Sequence, residues 1–142
     1  MSPAAEARLA ELVDDFEVVS ELGDPGAPIK HLLDLGKTLP EMPDAYRLDA
    51  NRVPGCTAVT HLVVEEASPE HVRFVGDSEA GTTRGLIAVL HRVLNDAPAA
   101  DVSGFDEEAA FRALGFAGAI SASRSNAFVQ LVKRLKAAAA QV

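Results

Sequence analysis

The sequence predicts an α+β fold of two layers, a small antiparallel sheet of about three strands covered by helices. Two runs of helical spacing come first, two strand-like runs joined by a short turn occupy the middle, and helical runs close the chain. A connection that short demands an antiparallel pair, since parallel strands need a long crossover. No repeat, low-complexity linker or shift of composition divides residues 1–142, so one domain is expected over the whole length.

The first helix is predicted from Pro3 to about Ser20. Ser2 suits the N-cap and Pro3 the first helical position. Leu9, Leu12, Val13 and Phe16 then share one face. Gly23-Asp24-Pro25-Gly26 ends this helix, and a second is expected from Ala27 to Thr38. Its Gly36-Lys37-Thr38 imitates the end of a phosphate loop, but the glycine required five positions earlier is His31. Leu39-Pro40-Glu41-Met42-Pro43 is an extended, proline-punctuated segment leading through Tyr46 and Arg47 to Arg52-Val53-Pro54-Gly55-Cys56.

Two strands are predicted at 57–66 and 71–76, joined by the turn Ala67-Ser68-Pro69-Glu70, with a short third strand around 50–53. Alternation places Val59, His61 and Val63 on one face of the first, and Ala58, Thr60, Leu62 and Val64 on the other. Gly76-Asp77-Ser78-Glu79 reads as a turn and helix cap. The helix that follows carries the apolar stripe Leu86, Val89, Leu90, Val93 and Leu94 and ends by Asp96. Gly81 and Gly85 inside it each cost up to about 1 kcal/mol relative to alanine, a cost often tolerated where another backbone packs closely. A short helix from Phe105 to Leu114 and a last one opening at Ser121 complete the order. Phe128, Leu131, Val132 and Leu135 form the buried face of the last helix.

Apolar residues make up 48% of the chain and charged residues 24%, ordinary for a soluble globular protein. Thirteen basic against 21 acidic residues leave a formal charge of −8, which argues against nucleic acid as a partner. A single cysteine excludes an internal disulfide and fits a reducing compartment. No apolar run approaches the roughly 20 residues that cross a bilayer, and no basic stretch followed by an apolar one marks a secretory signal. The expected location is cytoplasmic, with no membrane partner.

The lone cysteine draws the most attention. Pro54 fixes φ at one position and Gly55 opens the φ > 0 region at the next, making a tight turn that presents Cys56 at the entrance to the sheet. Such a residue is either a reactive thiol or a small buried hydrophobe. A cysteine–histidine hydrolase or transferase would need an imidazole beside the thiol. His61, five residues along an extended run, lies roughly 16 Å away, and His31, His71 and His91 could approach only through the fold. With one cysteine and no ligand pair at metal spacing, no metal site is expected. Arg124 stands where a helix dipole disfavours positive charge, so it is either solvated or serves a nearby anion or thiolate. Asp77 suits a cap or a turn.

Leu39-Pro40-Glu41-Met42-Pro43, Val53-Pro54-Gly55-Cys56, Gly76-Asp77-Ser78-Glu79 with Arg84-Gly85-Leu86-Ile87-Ala88-Val89, and Ser123-Arg124-Ser125-Asn126 occur in that order. In these stretches the chain resembles the SufE family, the sulfur acceptors of iron–sulfur cluster assembly, from about residue 30 to the end. The resemblance implies a compact α+β fold, also similar to that of the iron–sulfur scaffold proteins, and makes Cys56 the acceptor. It implies a SufS-type cysteine desulfurase as partner, with pyridoxal phosphate belonging to that partner and no cofactor in this chain. The terminal sulfur of the desulfurase persulfide would pass to Cys56 and then to a SufBCD scaffold. In the family the cysteine loop tucks the thiol into an apolar cavity and swings it out for the partner. Carried over, Gly55 lets the loop bend, while Asp77 and Arg124 line or fix the site. Cys56 is then expected to be largely buried in the free protein, with Arg124 within one side-chain length of the loop and Arg124 and Asp77 bonded to the loop and to each other.

The chain departs from many relatives in having Thr57-Ala58 after the cysteine, where they carry a Gln-Ser pair, and His61, where tryptophan is common. These positions bear on which desulfurase is served, the SufS type or the CsdA type. A cysteine-dependent hydrolase or transferase, and an interaction domain with an inert buried cysteine, are the other classes the residues allow.

Overall fold

Helix α1 spans Pro3–Ser20, and the Ser2 hydroxyl accepts a hydrogen bond from the Ala5 N–H. It buries Ala5, Leu12 and Phe16, and helix α2, Ala27–Gly36, buries Leu32, Leu35 and Gly36. An extended stretch follows, with Met42 buried, then single 3-10 turns at Asp44–Tyr46 and Asp49–Asn51. The computed structural model describes residues 1–142, and no helix in it is long and apolar enough to cross a membrane.

Strands β1, Thr60–Ala67, and β2, Val72–Ser78, pair antiparallel in a two-stranded sheet. Thr60 lies opposite Ser78 and His61 opposite Asp77, and the register shifts at a bulge between Val64 and Glu66. The sheet has two strands where about three were expected. The third shrinks to a single bridge between Arg52 and His61, because the neighbouring backbone groups of 50–52 are bound elsewhere. β1 also begins at Thr60, not at residue 57. Val59 and the residues before it stay in the cysteine loop, whose neck is closed by the Val53 N–H donating to the Thr60 carbonyl at 2.9 Å.

Strand β2 runs through Asp77 and Ser78, so these residues form no helix cap. Helix α3, Gly81–Leu94, starts after Ala80 without a side-chain cap. Most of α3 is buried, and it packs against α1, α2, β2 and the last helix, making it the central rod of the fold. Helix α4, Ala99–Ser103, has no counterpart among the expected elements, since five residues carry no readable period. Helix α5 covers Glu107–Ala113 with Asp106 as its cap, and helix α6 covers Ala122–Ala139 with Ser121 accepting from the Arg124 N–H. α6 packs on β1 and α3, and its Phe128, Leu131, Val132 and Leu135 join the core.

Helices α2 and α3 cross where Gly36 meets Gly85. A Cβ on Gly36 would lie 2.9 Å from the Gly85 backbone nitrogen, and one on Gly85 would overlap the Leu32 carbonyl oxygen. Close backbone approach is therefore what the helix gains from Gly85 in return for its lower propensity.

Candidate functional site

Residues 54–59 form a loop above the neck closed by Val53 and Thr60. Gly55, at its tip, has φ +83°, a conformation open to glycine and strained for other residues. Cys56 follows, half-buried and packed against the hydrophobic core from its edge. Burial pushes its thiol above the ordinary range, while the Thr60 side chain and the Arg124 charge pull in the opposite direction. In this position Cys56 is mainly a protonated, slow thiol at neutral pH.

Helix α6 holds the loop from one side. Asn126 Nδ2 donates to the Gly55 carbonyl at 3.0 Å, and Arg124 Nη1 donates to the Thr57 hydroxyl at 3.3 Å. The Thr57 and Ser123 hydroxyls are 2.9 Å apart. Below the neck, Arg134 donates to the Arg52 carbonyl at 2.8 Å and to the Ala50 carbonyl at 2.7 Å. Among these groups the sequence points to Arg124 alone. Asn126 belongs to a recognised stretch but has no role assigned from sequence, and no signal along the chain singles out Arg134.

Asp77 makes its bonds elsewhere. Its Oδ2 accepts from Arg47 and its Oδ1 from Arg84, both at 2.8 Å, and Oδ1 also accepts from the Ser78 N–H. No hydrogen bond or ion pair joins it to Arg124 or to the loop, contrary to expectation, since two guanidinium groups occupy its carboxylate. Burial pushes the Asp77 carboxyl up, but the hydrogen bonds from Arg47 and Arg84 outweigh it and hold it below the usual range. Cys56 also differs from expectation in being half-buried where it was expected to be largely buried, while Arg124 does lie within one side-chain length of the loop.

Through Arg47, Asp77 fastens the 44–52 segment to the sheet, and through Arg84 it ties the sheet to helix α3. Tyr46 adds a hydrogen bond from its hydroxyl to Glu65 at 2.8 Å. Asp77→Asn is expected to lower stability by about 1–2 kcal/mol at neutral pH, since it removes charge-assisted bonds to a mostly buried carboxylate. The folded-state pKa is depressed, so this contribution is present above the unfolded value of about 3.9 and is lost as pH falls through the lower folded value. In urea titrations the gap between parent and variant should therefore close below about pH 4. A gap that stays constant down to about pH 3 would show that charge is not its origin.

No imidazole is hydrogen-bonded to Cys56. His31 packs edge-on against Phe16 and His91 against Phe74, His71 pairs with Asp96, and His61 lies buried opposite Asp77. No three Cys, His, Asp or Glu side chains converge as metal ligands would. The arrangement offers a lone thiol on a short loop, partly withdrawn from solvent, with a cation nearby. Chemically, that suits receiving and releasing an atom better than acid–base work.

Residues 10–139 match the family model described as the Fe-S metabolism associated domain, SufE. The chain is 32% identical over 133 residues to an uncharacterized SufE-like protein of Rhizobium etli, covering 92% of this chain and 88% of that one. It is 35% identical over 113 residues to the sulfur acceptor protein CsdE of Escherichia coli, covering 80% of this chain and 77% of that one. Its fold matches the solution structure of a hypothetical protein from Thermus thermophilus with a TM-score of 0.74, over 94% of both chains and at 18% identity.

Proposed function

Because the chain belongs to the SufE family, we propose that it is a sulfur acceptor that takes persulfide sulfur from a cysteine desulfurase onto Cys56. The observation that carries this reading is the half-buried thiol on the 54–59 loop, with no base bonded to it and with Arg124 beside it.

The Cys56 thiolate attacks the terminal sulfur of the desulfurase persulfide. A bond forms between Cys56 Sγ and that sulfur, and the bond between the terminal sulfur and the desulfurase cysteine breaks. The desulfurase cysteine leaves as a thiolate and takes up the proton that Cys56 gave away. Nothing is oxidised or reduced overall. The partner is a SufS-type desulfurase that holds its own pyridoxal phosphate, and the sulfur goes on to a SufBCD scaffold. Arg124 favours the attacking thiolate, and Gly55 permits the loop conformation that exposes it. Asp77 acts at a distance, by bracing the segment that leads into the loop.

Mass spectrometry after incubation with desulfurase and free cysteine tests the reading. A sulfur adduct on the Cys56 peptide, absent without cysteine, is the expected outcome. A chain that gains no sulfur while the desulfurase turns over would overturn it.

A further inference from the structure

Asn126 and Arg134 meet the cysteine loop at two levels. Arg134 grips the Arg52 and Ala50 carbonyls below the neck, at 2.8 and 2.7 Å. The residue after Arg52, Val53, is buried, and its N–H is bound by the Thr60 carbonyl. Asn126, about two helical turns before Arg134 on the same helix, donates to the Gly55 carbonyl at the tip, at 3.0 Å. Here the tip lies flat on the helix, and a Cβ on Gly55 would come within 3.2 Å of Gln130 Cγ. Its other hydrogen bonds to that helix are made by the exposed Thr57 hydroxyl, against Ser123 and Arg124.

Charge-assisted hydrogen bonds are roughly twice as strong as neutral ones. Arg134 makes two of them at the base, at 2.8 and 2.7 Å, whereas the tip has one neutral bond from Asn126 and one longer charge-assisted bond, 3.3 Å, from Arg124 to the exposed Thr57 hydroxyl. The base of the loop is therefore held more firmly than its tip. Taking Cys56 as the acceptor, we propose that Arg134 and Asn126 are positioning residues for the transfer, Arg134 fixing the footing of the loop and Asn126 latching its tip.

The two roles predict opposite kinetic signatures. An acceptor that docks only when open binds with an apparent dissociation constant equal to the intrinsic one divided by the open fraction. Asn126→Ala enlarges the open fraction. It should lower the concentration of this chain that half-saturates desulfurase stimulation several-fold and leave the maximal rate unchanged. In the free protein it should also speed iodoacetamide alkylation of Cys56 several-fold and move its pH midpoint down, because the thiol is less desolvated. Arg134→Met leaves the tip and its bond to Asn126 in place but frees the footing, so the thiol is no longer held at one point. Its maximal rate should fall about tenfold or more at unchanged half-saturation, as expected of a misplaced reacting atom. Arg134→Lys keeps the charge but loses the planar fork, and should fall likewise.

Alkylation of Asn126→Ala at the parental rate and midpoint would overturn the latch. A parental maximal rate in Arg134→Met or Arg134→Lys would overturn the footing. Should Cys56 of the parent gain no sulfur, the acceptor reading fails by itself. The alkylation comparison, which needs no partner, still decides the latch.

Discussion

Cys56→Ser is expected to reduce desulfurase stimulation to the rate of the desulfurase alone and to remove the sulfur adduct, while the fold is retained. Serine is nearly isosteric, but its oxygen forms no persulfide, so the loss should be complete. Cys56 is only half-buried, and a surface-like substitution there should move stability by less than about 1 kcal/mol. Circular dichroism and thermal melting would check the fold, and a coupled assay of sulfide or alanine release would check the activity. Full stimulation by a folded serine variant would mean that the chain acts on the desulfurase without accepting sulfur.

Gly85→Ala is expected to be the most damaging of the conservative changes to stability. The new Cβ would overlap the Leu32 carbonyl oxygen and lie 2.6 Å from Leu32 Cγ. Backbone cannot step aside as the end of a side chain can, so α2 must move off α3. Overpacking of this kind costs about 1–3 kcal/mol or more, against a gain of up to about 1 kcal/mol in helix propensity. A net loss of about 2 kcal/mol would lower Tm by roughly 6–10 °C in a chain of this size. Gly81→Ala in the same helix is the control. Its Cβ would meet only Leu33 Cδ2, the flexible end of a side chain, at 2.8 Å. It should change Tm little, and an equal fall in both variants would locate the effect in the helix, not in the crossing.

What the sequence revealed about the fold depended on whether the cause was local. α1 was legible to its ends, because Ser2, Pro3 and the spacing of Leu12 and Phe16 are all local signals. Asp77 and Ser78 misled for the same reason. An acidic residue and a serine ahead of a helix resemble a cap, but here cross-strand pairing with His61 and Thr60 extends β2 through both. The partners that claim Asp77 lie 30 and 7 residues away in sequence. Of the expected third strand one bridge forms: Arg52 pairs with His61, but Arg134, 82 residues further on, takes the Arg52 carbonyl. At the candidate site the cysteine, the Pro54-Gly55 turn and Arg124 are legible in the sequence. Asn126 and Arg134 act on backbone carbonyls, which carry no sequence identity, so nothing along the chain announces those contacts.

The closed neck has a consequence for any partner. With Val53 and Thr60 joined, and the Val59 carbonyl held by the Glu79 N–H, only residues 54–58 are free to extend. At about 3.4 Å per residue, a strand out and a strand back give a tether of roughly 10 Å. A donor sulfur seated deeper than that below the contact surface is out of range unless the neck itself unzips. The length of this tether thus sets a depth gauge for the partner's active-site entrance. Within that depth, so short a tether keeps the effective concentration of the thiol high.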